Sequence, residues 1–189
     1  MNFQDKLNQY VSGEADYTSL MNIILNNRSK DWYEELGKYI VSQIDISKVP
    51  QLKFFADKIQ TGTVKKVKDF AGFRDQTMSS IGIFFLTSVL DMATLTKIIG
   101  EPLLHNEFGE GFDQGERYYS KPRIRADYAS WFLTINGIDL HIGCDHRGTR
   151  IEIGVPFNNE TGEVSDVDAK KVFEVLKGLV DLYKKEIYI

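Results

Sequence analysis

The fold of this chain is decided by residues 131–142, WFLTINGIDLHI. In this stretch Asn136-Gly137 separates two runs of mostly apolar residues, Trp131–Ile135 and Ile138–Ile142. Asn-Gly readily adopts the positive φ angles of a type I′ turn, so the pattern predicts a β-hairpin with a two-residue turn.

This turn also determines which residues face each other across the hairpin. The predicted apolar pairs are Ile135 with Ile138, Leu133 with Leu140, and Trp131 with Ile142. The opposite face then carries Phe132 against His141 and Thr134 against Asp139. A slip of one residue would move every apolar side chain into water, so the turn and the alternation predict the same register.

Further strands are expected on both sides of the hairpin. After a turn at residues 145–148, a strand is predicted in which Ile151, Ile153 and Val155 share the apolar face and Arg150, Glu152 and Gly154 the other. Residues 123–128 could add another strand. The continuous apolar run at residues 81–89 predicts a strand buried on both faces.

Helices are predicted at the two ends of the chain. Ser165 is expected to cap a long last helix that covers the apolar face of the hairpin. Its apolar stripe is Val172, Val175, Leu176, Leu179, Leu182 and Tyr183. The first seventy residues predict four to five short helices, among them one with a stripe from Tyr17 to Ile24, one capped by Ser29 and one opened by Pro50.

Together these elements predict an α+β fold with a helical N-terminal half and a C-terminal antiparallel hairpin sheet. The chain is divided into a helical region, 1–78, and a sheet with its C-terminal helix, 79–189. The two regions could form one continuous domain. Asp91 is expected to cap a short helix that ends at Gly100, and the acidic, glycine-rich stretch 101–116 is expected to be irregular.

Composition narrows the class of protein. The 189 residues carry a net charge of −4, which disfavours a dedicated nucleic-acid binder. The single cysteine excludes an internal disulfide and favours a reducing compartment. Residues 1–20 show no signal-peptide pattern, and no apolar run is long enough for a membrane span, so a cytoplasmic protein is expected.

Polar residues that could carry chemistry cluster between positions 139 and 152. His141 with Asp139 or Glu152 could act as a general acid–base pair, although a solvated polar sheet face explains the same residues. A zinc site with Cys144 is disfavoured because alternation points His141 and Cys144 to opposite faces. The spacing of the glycines at 109–115 matches neither the P-loop nor the dinucleotide-binding fingerprint, the two glycine-rich patterns that bind phosphate.

Two hypotheses about function follow. The first is a non-enzymatic binding or regulatory protein that recognises another protein, as an inhibitor, adaptor or neutraliser does. The second is an enzyme or a binder of a small anionic ligand, with its site on the polar sheet face. The candidate ligand-binding residues are Arg123, Arg125, Asp139, His141, Arg150 and Glu152. Neither hypothesis calls for a metal or a cofactor, and no catalytic residue is assigned.

Overall fold

The structure, a computed structural model, describes residues 18–19, 31–56, 78–105, 128–145, 148–158 and 160–188. Its strands are β1 (Thr18–Ser19), β2 (Leu103–His105), β3 (Tyr128–Ile135), β4 (Ile138–Asp145) and β5 (Gly148–Ile153). Its α-helices are α1 (Asp31–Gln43), α2 (Met78–Phe84), α3 (Met92–Ile99) and α4 (Asp166–Glu186). Short 3₁₀ helices occupy Ile46–Lys48 and Pro50–Leu52, and a π-helical turn, Phe85–Val89, follows α2 directly.

The predicted hairpin is confirmed in its turn and in its register. Asn136 has φ 51° and Gly137 has φ 78°, the left-handed angles that a type I′ turn needs. Across the hairpin, Ile135 pairs with Ile138, Leu133 with Leu140 and Trp131 with Ile142. The α+β fold class is therefore correct, and the hairpin lies at its centre.

The sheet has five antiparallel strands in the order β1-β5-β4-β3-β2. Its inner face carries the apolar set; buried there are Ala129, Trp131, Leu140, Ile142, Cys144, Ile151 and Ile153. Its outer face carries Ser130, Phe132, Asp139, His141, Arg150 and Glu152. Alternation along the strands therefore separates an apolar side of the sheet from a polar one.

The inner face is covered by helical elements from both parts of the chain. Helix α4 meets the hairpin tip at Gly178, where an added Cβ would overlap Cγ2 of Ile135. The carbonyl of Leu90, which follows the π-helical turn, accepts a 2.6 Å hydrogen bond from Thr149 Oγ1 on β5. The rings of Phe85 and Tyr183 pack edge to face, 5.1 Å apart, so the π-helical turn and α4 also contact each other.

Two caps predicted from the sequence are confirmed. Asp91 accepts a hydrogen bond from the Thr94 amide at 2.8 Å, and Ser165 accepts one from the Asp168 amide at 3.1 Å. Each cap satisfies an amide of the first helical turn that has no partner inside the helix. Gly100, with φ 109°, ends α3 as expected. Pro50 begins a 3₁₀ helix, Pro50–Leu52, and residues 53–56 continue it as α-helix to the end of that described range.

The strand predicted at residues 81–89 is wrong, because this segment is helical. Met78–Phe84 is α-helix and Phe85–Val89 is π-helix, with Thr87 Oγ1 bonded to the Ile83 carbonyl at 2.9 Å. A short, continuous apolar run has no period, so a buried helix and a buried strand have the same pattern. Burial of Ile81, Ile83 and Phe85 in the common core accounts for the composition.

Two short strands also depart from the sequence-based expectation. Thr18–Ser19 pairs with β5, although a helical stripe was expected from Tyr17 to Ile24. Leu103–His105 pairs with β3, although residues 101–116 were expected to be irregular. Both strands lie at the edges of the sheet. There, pairing with the neighbouring strand creates a short strand that the local sequence pattern does not predict. Other predictions fall outside the described residues: the helices expected before residue 31 and after residue 56, residues 106–116, and residues 123–127 of the strand expected at 123–128. The domain boundary near 78 stays a prediction.

Helices α1 and α2 cross at very close range. An added Cβ at Gly37 would overlap the carbonyl oxygen of Met78, and one at Gly82 would lie 3.2 Å from Leu36 Cδ2. Both glycines are buried, so the helices approach until backbone contacts backbone. This crossing needs a residue without a side chain at position 37.

We expect Gly37→Ala to reduce the free energy of unfolding by about 2 kcal/mol, because the new methyl group must push two packed helices apart. Urea unfolding followed by circular dichroism measures the change. Lys38→Ala is the matched control, since Lys38 is exposed on the same helix, and we expect it to stay within about 0.5 kcal/mol of wild type. Equal stability of the two variants would contradict the close helix crossing.

Candidate functional site

The polar outer face is assembled by strand register alone. His141 on β4 lies opposite Phe132 on β3 and opposite Glu152 on β5. Ser130 lies two residues before Phe132 and therefore on the same face of β3. Three neighbouring strands thus place a hydroxyl, an imidazole and a carboxylate side by side.

These three side chains form a continuous hydrogen-bonded chain. His141 Nδ1 lies 2.9 Å from Glu152 Oε2, and His141 Nε2 lies 3.0 Å from Ser130 Oγ. The ring of Phe132 stacks on the imidazole, with centroids 4.6 Å apart and planes 14° from parallel. Ser130 and His141 are each only 1% exposed, whereas the side chain of Glu152 is 17% exposed.

The chain of bonds determines the position of the protons. A carboxylate only accepts hydrogen bonds, so Nδ1 of His141 carries the proton given to Glu152. In the neutral imidazole, Nε2 then accepts from the hydroxyl of Ser130. Each member of this Ser130–His141–Glu152 network therefore has a partner, as buried polar groups require.

A hydroxyl, an imidazole and a carboxylate bonded in this order can serve as nucleophile, base and orienting group in catalysis. Two features work against nucleophilic chemistry at Ser130. The hydroxyl is shielded from solvent, and Ser130 pairs with Leu103 on one side and Gly143 on the other, so its backbone amide belongs to the sheet. An oxyanion hole needs amides that point at the reacting group. We therefore interpret the network as internal pairing that holds the outer face together.

The other candidate ligand-binding residues surround this network. Arg150 is exposed and lies opposite Gly143, which has no side chain to cover it. Asp139 is half-buried and accepts a hydrogen bond from Thr134 Oγ1. Arg123 and Arg125 lie outside the described residues. That this face binds a ligand stays a prediction.

Cys144 lies on the inner face, opposite in direction to His141. Its Sγ lies 2.8 Å from Thr149 Oγ1. Because the Thr149 hydroxyl donates to the Leu90 carbonyl, its oxygen is left to accept from the thiol of Cys144. Cys144 is thus a buried cysteine bonded within the core, a setting typical of a structural residue.

A metal site that joins His141 and Cys144 is excluded by their opposite faces. Within the described residues, no group of three or more His, Cys, Asp and Glu side chains is placed to hold a metal ion.

A second surface feature, an apolar groove at the tip of the hairpin, was not predicted from the sequence. It lies between β3 and α4 and has a volume of about 410 Å³. Its lining consists of Leu133, Thr134, Ile135, Asn136, Gly178, Asp181, Leu182 and Lys185. We call it the tip groove.

The tip groove exists because the helix does not cover the end of the hairpin completely. Leu133, Ile135 and Ile138 are only half-buried, in contrast to Trp131, Leu140 and Ile142 further along the strands. Leu182, assigned by the sequence to the core stripe of the last helix, is half-buried as well. The signal that could have indicated this groove is Gly178, which interrupts the apolar stripe of α4.

Two charged residues lie on the rim of the tip groove, and one is engaged by α1. Tyr39 donates a hydrogen bond from its hydroxyl to Asp181. Burial, together with the bond and the charge of Asp181, raises the pKa of Tyr39 to about 12, so the phenol stays protonated near neutral pH. Asp181 therefore keeps its hydrogen-bond donor under ordinary conditions.

Comparison with protein-family models, curated proteins and solved structures returned no match to this chain. In the described part of the chain no single helix combines the length and the apolar character of a membrane span; Met78–Val89 and Met92–Ile99 reach that standard only together, across an 84° bend.

We expect His141→Ala to lower the free energy of unfolding by about 2–4 kcal/mol, because it opens a cavity and removes a partner from both Ser130 and Glu152. Denaturant unfolding gives the value. The control is Arg150→Ala on the same face, which is exposed and should change stability by less than about 0.5 kcal/mol. A His141→Ala protein as stable as this control would show that the network contributes nothing to the fold.

Proposed function

We propose that this chain is a non-enzymatic binding or regulatory protein that recognises another protein, in the manner of an inhibitor, adaptor or neutraliser. The observation that carries the proposal is the tip groove. Leu133, Ile135 and Leu182 present apolar side chains that the fold leaves half-buried. Exposed apolar surface of this kind, bordered by polar residues, is typical of sites that other proteins cover.

The location of the tip groove suits this role. One wall is a β-strand and the other is the longest described helix, so both are held by the core. The hairpin tip is further attached to the helix by a 3.0 Å hydrogen bond from Asn136 Nδ2 to the Glu174 carbonyl. A surface that is already rigid loses little conformational entropy when a partner binds.

Compartment and partner class belong to the same proposal. A chain with one cysteine, which is a buried thiol, suits the reducing cytoplasm. A net charge of −4 favours a protein partner over nucleic acid.

A second candidate function is favoured by one observation on the outer face. Arg150 is exposed, and within the described residues it makes no hydrogen bond or ion pair. A guanidinium can bind phosphate through two parallel hydrogen bonds. With Glu152 on the same face and His141 buried between the strands, this arginine would be the contact for a small anionic ligand or for the anionic substrate of an enzyme.

For the first proposal, we expect Leu182→Asp to abolish capture of a partner from an extract of the native host. A charge in the centre of an apolar contact should reduce capture at least roughly tenfold. The measurement is affinity purification with wild-type and variant baits, followed by mass spectrometry, after circular dichroism has shown that each bait is folded.

The matched control for this experiment is Val167→Asp, because Val167 is also apolar, lies on the same helix and is 67% exposed. We expect a protein that is retained by wild type and by Val167→Asp and is lost with Leu182→Asp. Leu182→Gln provides a milder variant if the aspartate unfolds the chain. Equal capture by all folded baits would refute recognition through the tip groove.

For the second candidate, we expect inorganic phosphate to raise the melting temperature of the wild-type protein and of Lys170→Ala, but not of Arg150→Ala. The expected rise follows because a ligand that binds only the folded state stabilises it. Differential scanning fluorimetry in phosphate, compared with sodium chloride at equal ionic strength, measures it. A rise that persists in Arg150→Ala would exclude an anion site at this arginine.

A further inference from the structure

We infer that the tip groove receives an apolar segment of a partner protein that also carries a carboxylate, placed next to Lys185. The inference rests on the proposed function and deepens it, because it names the chemistry of the partner segment.

The lining of the tip groove places apolar residues beside a cation. At the hairpin tip, Asn136 is bonded to the Glu174 carbonyl and Gly178 packs against Ile135. Leu133, Leu182 and Lys185 line the same groove. An apolar segment that rests on the two leucines therefore lies near an ammonium group.

The charges on the rim of the groove are not equivalent. Asp181 accepts the hydroxyl proton of Tyr39, and the ammonium group of Lys177 lies 5.3 Å from the centre of the Tyr39 ring. The carboxylate of Asp181 is thus engaged on the side that faces α1. It is the less available of the two charges for a partner.

Lys185 is the available charge. Its Nζ lies 3.1 Å from Glu186 Oε1, and the two side chains are 76% and 40% exposed. An ion pair this exposed to water is worth little and exchanges readily for another partner. A carboxylate beside the apolar residues of a bound segment would therefore meet a cation at the rim.

The openness of the groove favours a protein segment over a free amphiphile. Small ligands are usually held in clefts that enclose most of their surface. The tip groove lies on the surface between a strand and a helix, with Leu133, Ile135 and Leu182 still partly exposed. A segment that is already ordered by its own protein can use such a surface, because less entropy is lost on binding.

Two head-to-tail cyclised peptides that differ only in charge test the inference, cyclo(Gly-Leu-Leu-Glu-Gly-Pro) and cyclo(Gly-Leu-Leu-Lys-Gly-Pro). The ring orders the segment in advance, as its own protein would. Each is titrated into the ¹⁵N-labelled protein while backbone amide shifts are recorded. We expect the glutamate peptide to shift the amides of Gly178 and Leu182, and the lysine peptide to bind roughly two- to fivefold more weakly, the effect of one exposed ion pair. Absence of shifts at these amides with both peptides, or equal binding of both, would overturn the inference.

Charge reversal at Lys185 is the second test. Lys185→Glu should invert the preference between the peptides, whereas Lys170→Glu, on an exposed lysine of the same helix, should leave it unchanged. In the extract experiment, loss of capture with Leu182→Asp but not with Lys185→Glu would overturn the carboxylate inference and leave the proposed function standing. Capture unaffected by either substitution would instead remove the proposed function.

Discussion

The constraint on which the rest of this structure depends is the backbone of Asn136 and Gly137. Two consecutive residues with positive φ form a turn whose twist matches that of the paired strands, so the chain reverses after two residues and in one register. Each paired residue from Ala129 to Cys144 is assigned to a face by this register. It places His141 beside Phe132, and it places Cys144 on the opposite side of the sheet.

The inner face that results is covered by helices that are distant in sequence. Thr149 on β5 bonds to the carbonyl that follows the π-helical turn, and Tyr183 of α4 contacts Phe85 within that turn. Buried apolar residues of the helices and the sheet belong to one core cluster. The helix covers the hairpin tip less completely. Gly178 of α4 lies close to Ile135 there, but Leu133 and Leu182 stay half-buried.

The outer face and the tip groove differ in how far their side chains find partners within the chain. In the Ser130–His141–Glu152 network every polar group has a partner within the chain, and in a shielded environment such bonds stabilise one arrangement of the strands. The tip groove keeps apolar side chains in partial contact with water. Burial of this area by another molecule would release free energy that folding left unused, and for this reason the groove is the stronger basis for a proposal.

Local chemistry by itself determined the hairpin, its register, the caps at Asp91 and Ser165 and the segregation of the sheet into an apolar and a polar face. These depend on residues that are neighbours in sequence or on a period of two, and so they can be deduced from the order of residues. Tertiary structure alone decided that residues 81–89 are helical, since an apolar run fits a buried strand as well as a buried helix. It also decided that Ser130 joins His141 and Glu152, that Thr18–Ser19 pairs with β5, and that Leu182, which packs against the core, also borders a groove. Each of these outcomes depends on which distant segment comes to lie beside the residue, and a distance through space is not contained in a local pattern.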